Sequence, residues 1–232
     1  MPPPTDSPAR STPFGPPSLL FPECAEAVVT DGLIDPPDLP PVEAAAVHNA
    51  VPSRQREFAL GRWCARRALA RLAVDAPSSS IIPVAANRAP IWPAGIVGSI
   101  THCQGFVGAV VARDDRLRSI GFDAERAEPL SADLVRLICT VPEIEWIAEQ
   151  SPTPQLDWPK VMFSAKEAVY KCIAPVFGRM LDFLDVTLAI DVDALAFTAA
   201  ARDLDLSAVR GRLAVSRAFV FACASIPVLP PA

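Results

Sequence analysis

The tightest constraint on the fold is an amphipathic pattern that begins at Asp157. Trp158, Val161, Met162, Ala165, Ala168, Val169, Cys172 and Ile173 recur at helical intervals and share one buried face. Lys160, Ser164, Glu167 and Lys171 fall in a single stripe on the other side. Asp157 can cap the start, Pro159 fits the first turn, and Pro175 with Gly178 ends the helix. Ser164 and Glu167 also have the spacing of a capping box, but the apolar pattern runs straight through them, which excludes a helix start there. Alone, Glu167 and Lys171 make an i,i+4 pair on a solvated face, worth ~0.3–0.5 kcal/mol. A second acidic cluster upstream, Gly121-Phe122-Asp123-Ala124-Glu125, argues for more than that.

The rest of the chain supplies sheets for such a helix to pack on. With 232 residues and 51% hydrophobic content, it can bury a substantial core, as one large domain or two small ones. Twelve of the 26 prolines lie between Pro2 and Pro41, so residues 1–18 are expected to be a disordered start. Ala27-Val28-Val29 suits a first strand. Ser53 is the expected cap of a helix reaching about Val74, with Phe58, Ala65, Leu69 and Leu72 on one face. Arg54, Arg56, Arg62, Arg66, Arg67 and Arg71 make that helix basic, by default a solvated face. Ile96–Thr101 and Phe106–Arg113 pattern as a hairpin joined through His102-Cys103-Gln104-Gly105, and Leu117–Ala124 as a further strand. Ser131 to about Gln150 is helical, with a break near Thr140-Val141-Pro142, and Ser151–Pro154 is a loop. Beyond Gly178, four segments from Phe183 to Ala224 read as strands or strand–helix mixtures. Successive β-ribbons favour antiparallel sheets, so the fold class is α+β, with a helix plus a sheet in each half, 19–115 and 116–232.

Composition removes several classes of function. A net charge of -5 argues against a general nucleic-acid surface. The 6 cysteines are scattered without C-x-x-C, which excludes the common zinc spacings and suggests reduced thiols. The start lacks the basic-then-apolar layout of a signal peptide, and no apolar run is long enough for a bilayer. A cytoplasmic protein without stable membrane insertion is expected.

Asp123 and Glu125 are two apart at the end of a strand, so their carboxylates share a face. Such a pair repels itself unless a cation lies between, and all-oxygen ligands suit Mg²⁺ or Mn²⁺. Glu167, on a helix that also bears Lys166 and Lys171, turns a weak signal into the outline of a metal–phosphate site. His102 is either a polar turn residue or a phosphate donor. Ser99 lacks the G-x-S-x-G elbow, Cys103 beside His102 proves little, and neither a P-loop nor a G-x-G-x-x-G occurs.

Taken together, Pro90-Ile91-Trp92-Pro93, Val97-Gly98-Ser99-Ile100-Thr101-His102-Cys103, Gly121 to Glu125, and Phe163-Ser164-Ala165-Lys166-Glu167-Ala168-Val169-Tyr170-Lys171 resemble, in this order, the 4'-phosphopantetheinyl transferases. Within them the chain is similar to the surfactin-synthetase-activating superfamily, on the side of the enterobactin synthetase component D branch. The resemblance runs from about Arg54 to Lys171. It implies a pseudo-dimer of two similar α+β halves, mostly antiparallel sheets each packed on a long helix, with coenzyme A as substrate in the cleft between them. It implies a monomer that transfers the phosphopantetheine arm to a serine of an apo acyl or peptidyl carrier protein and releases adenosine 3',5'-bisphosphate. By motif, Asp123, Ala124 through its carbonyl, Glu125 and Glu167 ligate Mg²⁺, and Glu167 is the base for the carrier serine. Arg54 and Arg62 hold the 3'-phosphate, and Arg88, Ala89, Pro90 and Ile91 line the adenine side, with Arg88 where the family often has Lys. Thr101, His102, Lys166 and Lys171 reach the pyrophosphate, with His102 and Lys171 acting in catalysis. A non-catalytic coenzyme A or nucleotide-binding regulatory protein is the alternative; it could keep the arginines without the full acidic trio, but all three carboxylates are present. The carrier's pathway, whether siderophore, polyketide, nonribosomal peptide or fatty acid, is left open.

Overall fold

A computed structural model describes residues 18–72, 81–150, 156–179 and 181–228. Residues 1–17 of the expected disordered start and the expected loop Ser151–Pro154 lie outside them. After a 3-10 turn at Ser18–Leu20 come β1 (Ala25–Thr30), α1 (Pro41–Ala45), α2 (Pro52–Arg71), β2 (Ile96–Cys103), β3 (Phe106–Arg113) and β4 (Leu117–Arg126). Then follow α3 (Ala132–Ile138), α4 (Val141–Glu149), α5 (Trp158–Phe177), a 3-10 turn at Phe183–Asp185, β5 (Val186–Asp191), β6 (Ala196–Ala201), β7 (Arg210–Val215) and β8 (Phe219–Pro227).

Two antiparallel sheets result, one in the order β1-β3-β2 and one in the order β4-β8-β7-β6-β5. Each takes a twenty-residue helix on one face. Leu60, Cys64, Ala68 and Leu69 of α2 pack on Val107, Ala109 and Val111 of β3. Val161, Ala165, Val169 and Ile173 of α5 pack on Val220, Ala222 and Ala224 of β8. A third core, with Phe106 and Val110 against Phe122 and Phe221, joins the sheets. The expected α+β architecture of antiparallel sheets on long helices is therefore present. Among the described residues no helix is long and apolar enough to cross a membrane.

Element ends follow local chemistry, with three corrections. The α2 helix is capped by Val51, not Ser53, because Pro52 at the first helical position has its φ already set for a helix. His102 and Cys103 belong to β2, which leaves Gln104-Gly105 as a two-residue turn with Gly105 at φ 78°. Pro175 lies inside the last turns of α5, and the stop is Gly178, left-handed at φ 61°. The cap expected at Asp157 is in place, accepting from Lys160 N, and Ser131 caps α3 by accepting from Leu134 N.

Candidate active site

β4 divides its side chains between two surroundings. Phe122 and Ala124 enter the core that joins the sheets, so Ser119, Gly121, Asp123 and Glu125 face α5. Gly121 sets how near that helix comes: a Cβ there would sit 2.0 Å from the Ala168 carbonyl oxygen and 2.6 Å from Cys172 N. Helix and strand backbones therefore touch, and Ser119 Oγ donates to Cys172 O at 2.6 Å. The stripe Lys160, Ser164, Glu167, Lys171 is thus no solvated face, since Lys160 and Ser164 are buried.

Asp123 is the hub. Its Oδ1 accepts from Lys171 Nζ at 2.6 Å and from Thr101 Oγ1 at 3.3 Å, and its Oδ2 from Ser164 Oγ at 2.8 Å. Thr101 comes from β2, which runs beside β4 at the sheet junction, and its Oγ1 also accepts from Ala124 N at 3.1 Å. Glu125 Oε2 lies 3.7 Å from Lys160 Nζ. Burial pushes the Glu125 carboxyl up to about 6, with Asp123 next in effect and Lys160 opposing. Glu167 is likewise held above the ordinary carboxylate range, by burial first and by Asp123, against Lys171. Its carboxylate makes no hydrogen bond or ion pair among the described residues.

Crowded, partly desolvated carboxylates with oxygen-only donors fit a hard divalent cation. The side chains do not stand in a ready-made ligand cage, since no group of three His, Cys, Asp or Glu among the described residues has metal-binding geometry. Lys171 and Lys160 supply the countercharge instead, on Asp123 and Glu125.

The basic side of the site comes from α2. Arg54 Nη1 meets His102 Nε2 and lies 3.4 Å from Glu57 Oε2, while His102 Nδ1 is 3.3 Å from the same oxygen. Arg62 is buried, stacked on Phe58 with its Cζ 4.3 Å from the ring centre, and its Nε donates to Ile82 O at 2.9 Å. Burial lowers its guanidinium to about 10, so it stays charged at neutral pH. The bond to Ile82 ties the segment Ile82–Ile91 to α2, where Ala85 N bonds Ala89 O and Arg88 sits exposed at φ 69°.

One expected site residue is displaced. Lys166 is fully buried and reaches no pyrophosphate position; its Nζ donates to Ile138 O at 2.8 Å, Glu143 Oε2 at 2.7 Å and Phe183 O at 2.7 Å. All three ammonium donors are thus satisfied inside the protein. The i−1 position beside Glu167 turns it about 100° around the helix, toward α3 and α4. Sequence reasoning also passed over Ser164, Lys160 and Glu57 as site residues, although the first two lie on the recognised stripe and Glu57 is three residues from Arg54.

Family models match this chain in two stretches. The 4'-phosphopantetheinyl transferase N-terminal domain matches residues 42–112, and the 4'-phosphopantetheinyl transferase superfamily matches residues 119–218. The chain belongs to the 4'-phosphopantetheinyl transferases. Among curated transferases it is similar to 4'-phosphopantetheinyl transferase Svp of Streptomyces mobaraensis, with 45% identity over 75% of this chain and 72% of that one. It is 36% identical to 4'-phosphopantetheinyl transferase PptT of Mycobacterium tuberculosis over 88% of this chain and 92% of that one. Enterobactin synthase component D of Salmonella typhi is 32% identical over 52% of this chain and 49% of that one. As a phosphopantetheinyl transferase, the chain carries its acidic trio on β4 and α5 of one sheet and its basic helix α2 on the other.

Proposed function

We propose that this phosphopantetheinyl transferase binds coenzyme A along the junction of β2, β4, α2 and α5 and moves its phosphopantetheine arm to a serine of an apo acyl or peptidyl carrier protein in the cytoplasm. The observation that carries the reading is the convergence of Asp123, Glu125 and Glu167 beside Lys171, Thr101 and His102. Asp123, Glu125, Glu167 and the Ala124 carbonyl would hold Mg²⁺ or Mn²⁺, which supplies charge neutralisation for the pyrophosphate. With Asp123 engaged there, Lys171 would be free of its 2.6 Å ion pair and could meet the phosphate oxygens.

Glu167 suits the base, because a carboxylate without hydrogen-bond donors, desolvated and raised in pKa, keeps its basicity for an incoming hydroxyl. The serine oxygen forms a bond to the pantetheine-side phosphorus as its proton passes to Glu167. The bond from that phosphorus to the bridging oxygen breaks, and adenosine 3',5'-bisphosphate leaves with the electron pair. Arg62, anchored through Nε, directs its terminal nitrogens to the 3'-phosphate with Arg54, in the bidentate fashion suited to phosphate. Arg88 to Ile91 line the adenine side.

The test incubates purified protein with coenzyme A, Mg²⁺ and a panel of apo-carriers and reads arm addition by intact-mass spectrometry. Arg54→Ala and Arg62→Ala should raise the coenzyme A KM, with a smaller effect on dephospho-coenzyme A. A panel that gains no arm, or variants that discriminate between the two substrates as the parent does, would overturn the assignments.

A further inference from the structure

Glu57 has no role in the proposed function, yet it touches both Arg54 of α2 and His102 of β2, each expected to meet a phosphate of coenzyme A. Glu57 and Arg54 are three apart on α2 and share a face, while His102 arrives from β2. Glu57 Oε2 lies 3.4 Å from Arg54 Nη1 and 3.3 Å from His102 Nδ1, and Arg54 Nη1 meets His102 Nε2. Chemistry leaves one protonation pattern for this triangle. A guanidinium has only N–H donors, so the ring nitrogen it meets presents a lone pair. The imidazole is then neutral, with its proton on Nδ1, facing the carboxylate.

The surroundings agree. Burial and Arg54, with Lys171 from α5, hold His102 below its ordinary pKa, while Glu57 and, from β4, Asp123 pull the other way. A carboxylate at Nδ1 of a neutral imidazole fixes the tautomer and the ring orientation.

We propose that Glu57 is a positioning residue, fixing His102 as the Nδ1–H tautomer and holding Arg54 and His102 as one preformed clamp for the 3'-phosphate, so that His102 joins Arg54 there instead of reaching the pyrophosphate. The phosphate itself rests on the proposed function; the tautomer does not. When a phosphate takes the Arg54 N–H, Nε2 of His102 loses its donor beside an anion. The ring then gains a proton readily, with Glu57 supporting the imidazolium from Nδ1. Phosphate binding is thereby coupled to proton uptake.

Two measurements test this. The chain has 2 histidines, His48 and His102, so ¹H–¹⁵N correlation spectra of the ring nitrogens resolve both. The parent should show His102 as Nδ1–H; because Arg54 favours that tautomer by itself, the role of Glu57 is read in the Arg54→Ala background, where Nδ1–H should persist and the further change Glu57→Ala should shift the balance toward Nε2–H. An Nε2–H ring in the parent, or identical spectra for Arg54→Ala and Arg54→Ala/Glu57→Ala, overturns the proposal. In kinetics, Glu57→Gln should raise the coenzyme A KM about tenfold while kcat stays within about twofold. Because loss of the charge disfavours the imidazolium, the pH above which coenzyme A affinity falls should move down by about one unit. A merely structural role for Glu57 would change thermal stability without moving that profile, and a parent-like KM and profile overturn the proposal. If Arg54→Ala is also parent-like, the phosphate reading fails, and the tautomer measurement alone decides the role of Glu57.

Discussion

Lys171 Nζ lies 2.6 Å from Asp123 Oδ1, an ion pair between a helix and a strand whose backbones touch. The contact rests on Gly121, two residues before Asp123 on the same face of β4. Gly121→Ala should push α5 off the strand, with a stability loss of about 1–3 kcal/mol. Transfer should fall by about 10²-fold, the cost of an ångström-scale misplacement of reacting groups. Denaturant unfolding paired with kcat/KM checks both; a variant with parental values for each would mean that the close approach is not what aligns the site.

Lys166 is expected to act through structure alone. It holds the end of α3 (Ile138), the start of α4 (Glu143) and the turn at Phe183 onto the helix that carries Glu167. Lys166→Met leaves Glu143 buried without its cation and should cost about 3–5 kcal/mol. The coenzyme A KM of the folded fraction should stay near the parent's. Unchanged stability with a raised KM would restore Lys166 to the phosphate.

This difference marks how far the sequence could be read. The helix Asp157–Gly178 and its stripe were legible because caps and 3.6-residue periodicity are local. The face of β4 bearing Asp123 and Glu125 was legible because alternation is local too. The inward turn of the stripe was not, because it depends on Gly121, forty-three residues before Ser164, meeting the helix backbone. Lys166 was misplaced for a similar reason: Glu143, its partner, comes from a separate helix, and no spacing rule links the two. Ser53 lost its cap to Pro52 because a proline's fixed φ opens a helix without a side-chain hydrogen bond.

Glu125 should destabilise the metal-free fold at neutral pH. Burial holds its folded pKa at about 6, above the ordinary 4.5, so the folded chain binds more protons between those values and stability falls as pH rises through that window. Glu125→Gln should therefore raise stability by about 1 kcal/mol at pH 7.5 in chelator, after allowance for solvent screening. The gain should fade below about pH 5, where the parent's carboxyl is also neutral. Melting curves at the two pH values check the sign; a variant less stable than the parent at pH 7.5 would contradict it.

Cys103 should be dispensable, although it adjoins His102. Burial pushes its thiol up to about 12, with Glu125 and Asp123 adding to the shift, so roughly one molecule in ten thousand carries the thiolate at pH 8. Cys103→Ser should keep most of the transfer rate. A lost rate accompanied by a trapped covalent enzyme intermediate would point to a cysteine nucleophile.

The proposed division of labour gives Asp123 and Glu125 to the cation and makes Glu167 both its third carboxylate and the base for the carrier serine. It is tested most directly by single-turnover transfer from coenzyme A to an apo-carrier during Mg²⁺ titration, in the parent and in Glu167→Gln. The parent should transfer only with the metal. Glu167→Gln should still bind Mg²⁺ through Asp123 and Glu125, with only a modest loss by calorimetry and little change for coenzyme A, yet turn over about 10²–10⁴-fold more slowly at saturating metal. Parental rates in Glu167→Gln at ordinary Mg²⁺, or full transfer by the parent in excess chelator, would rule these roles out.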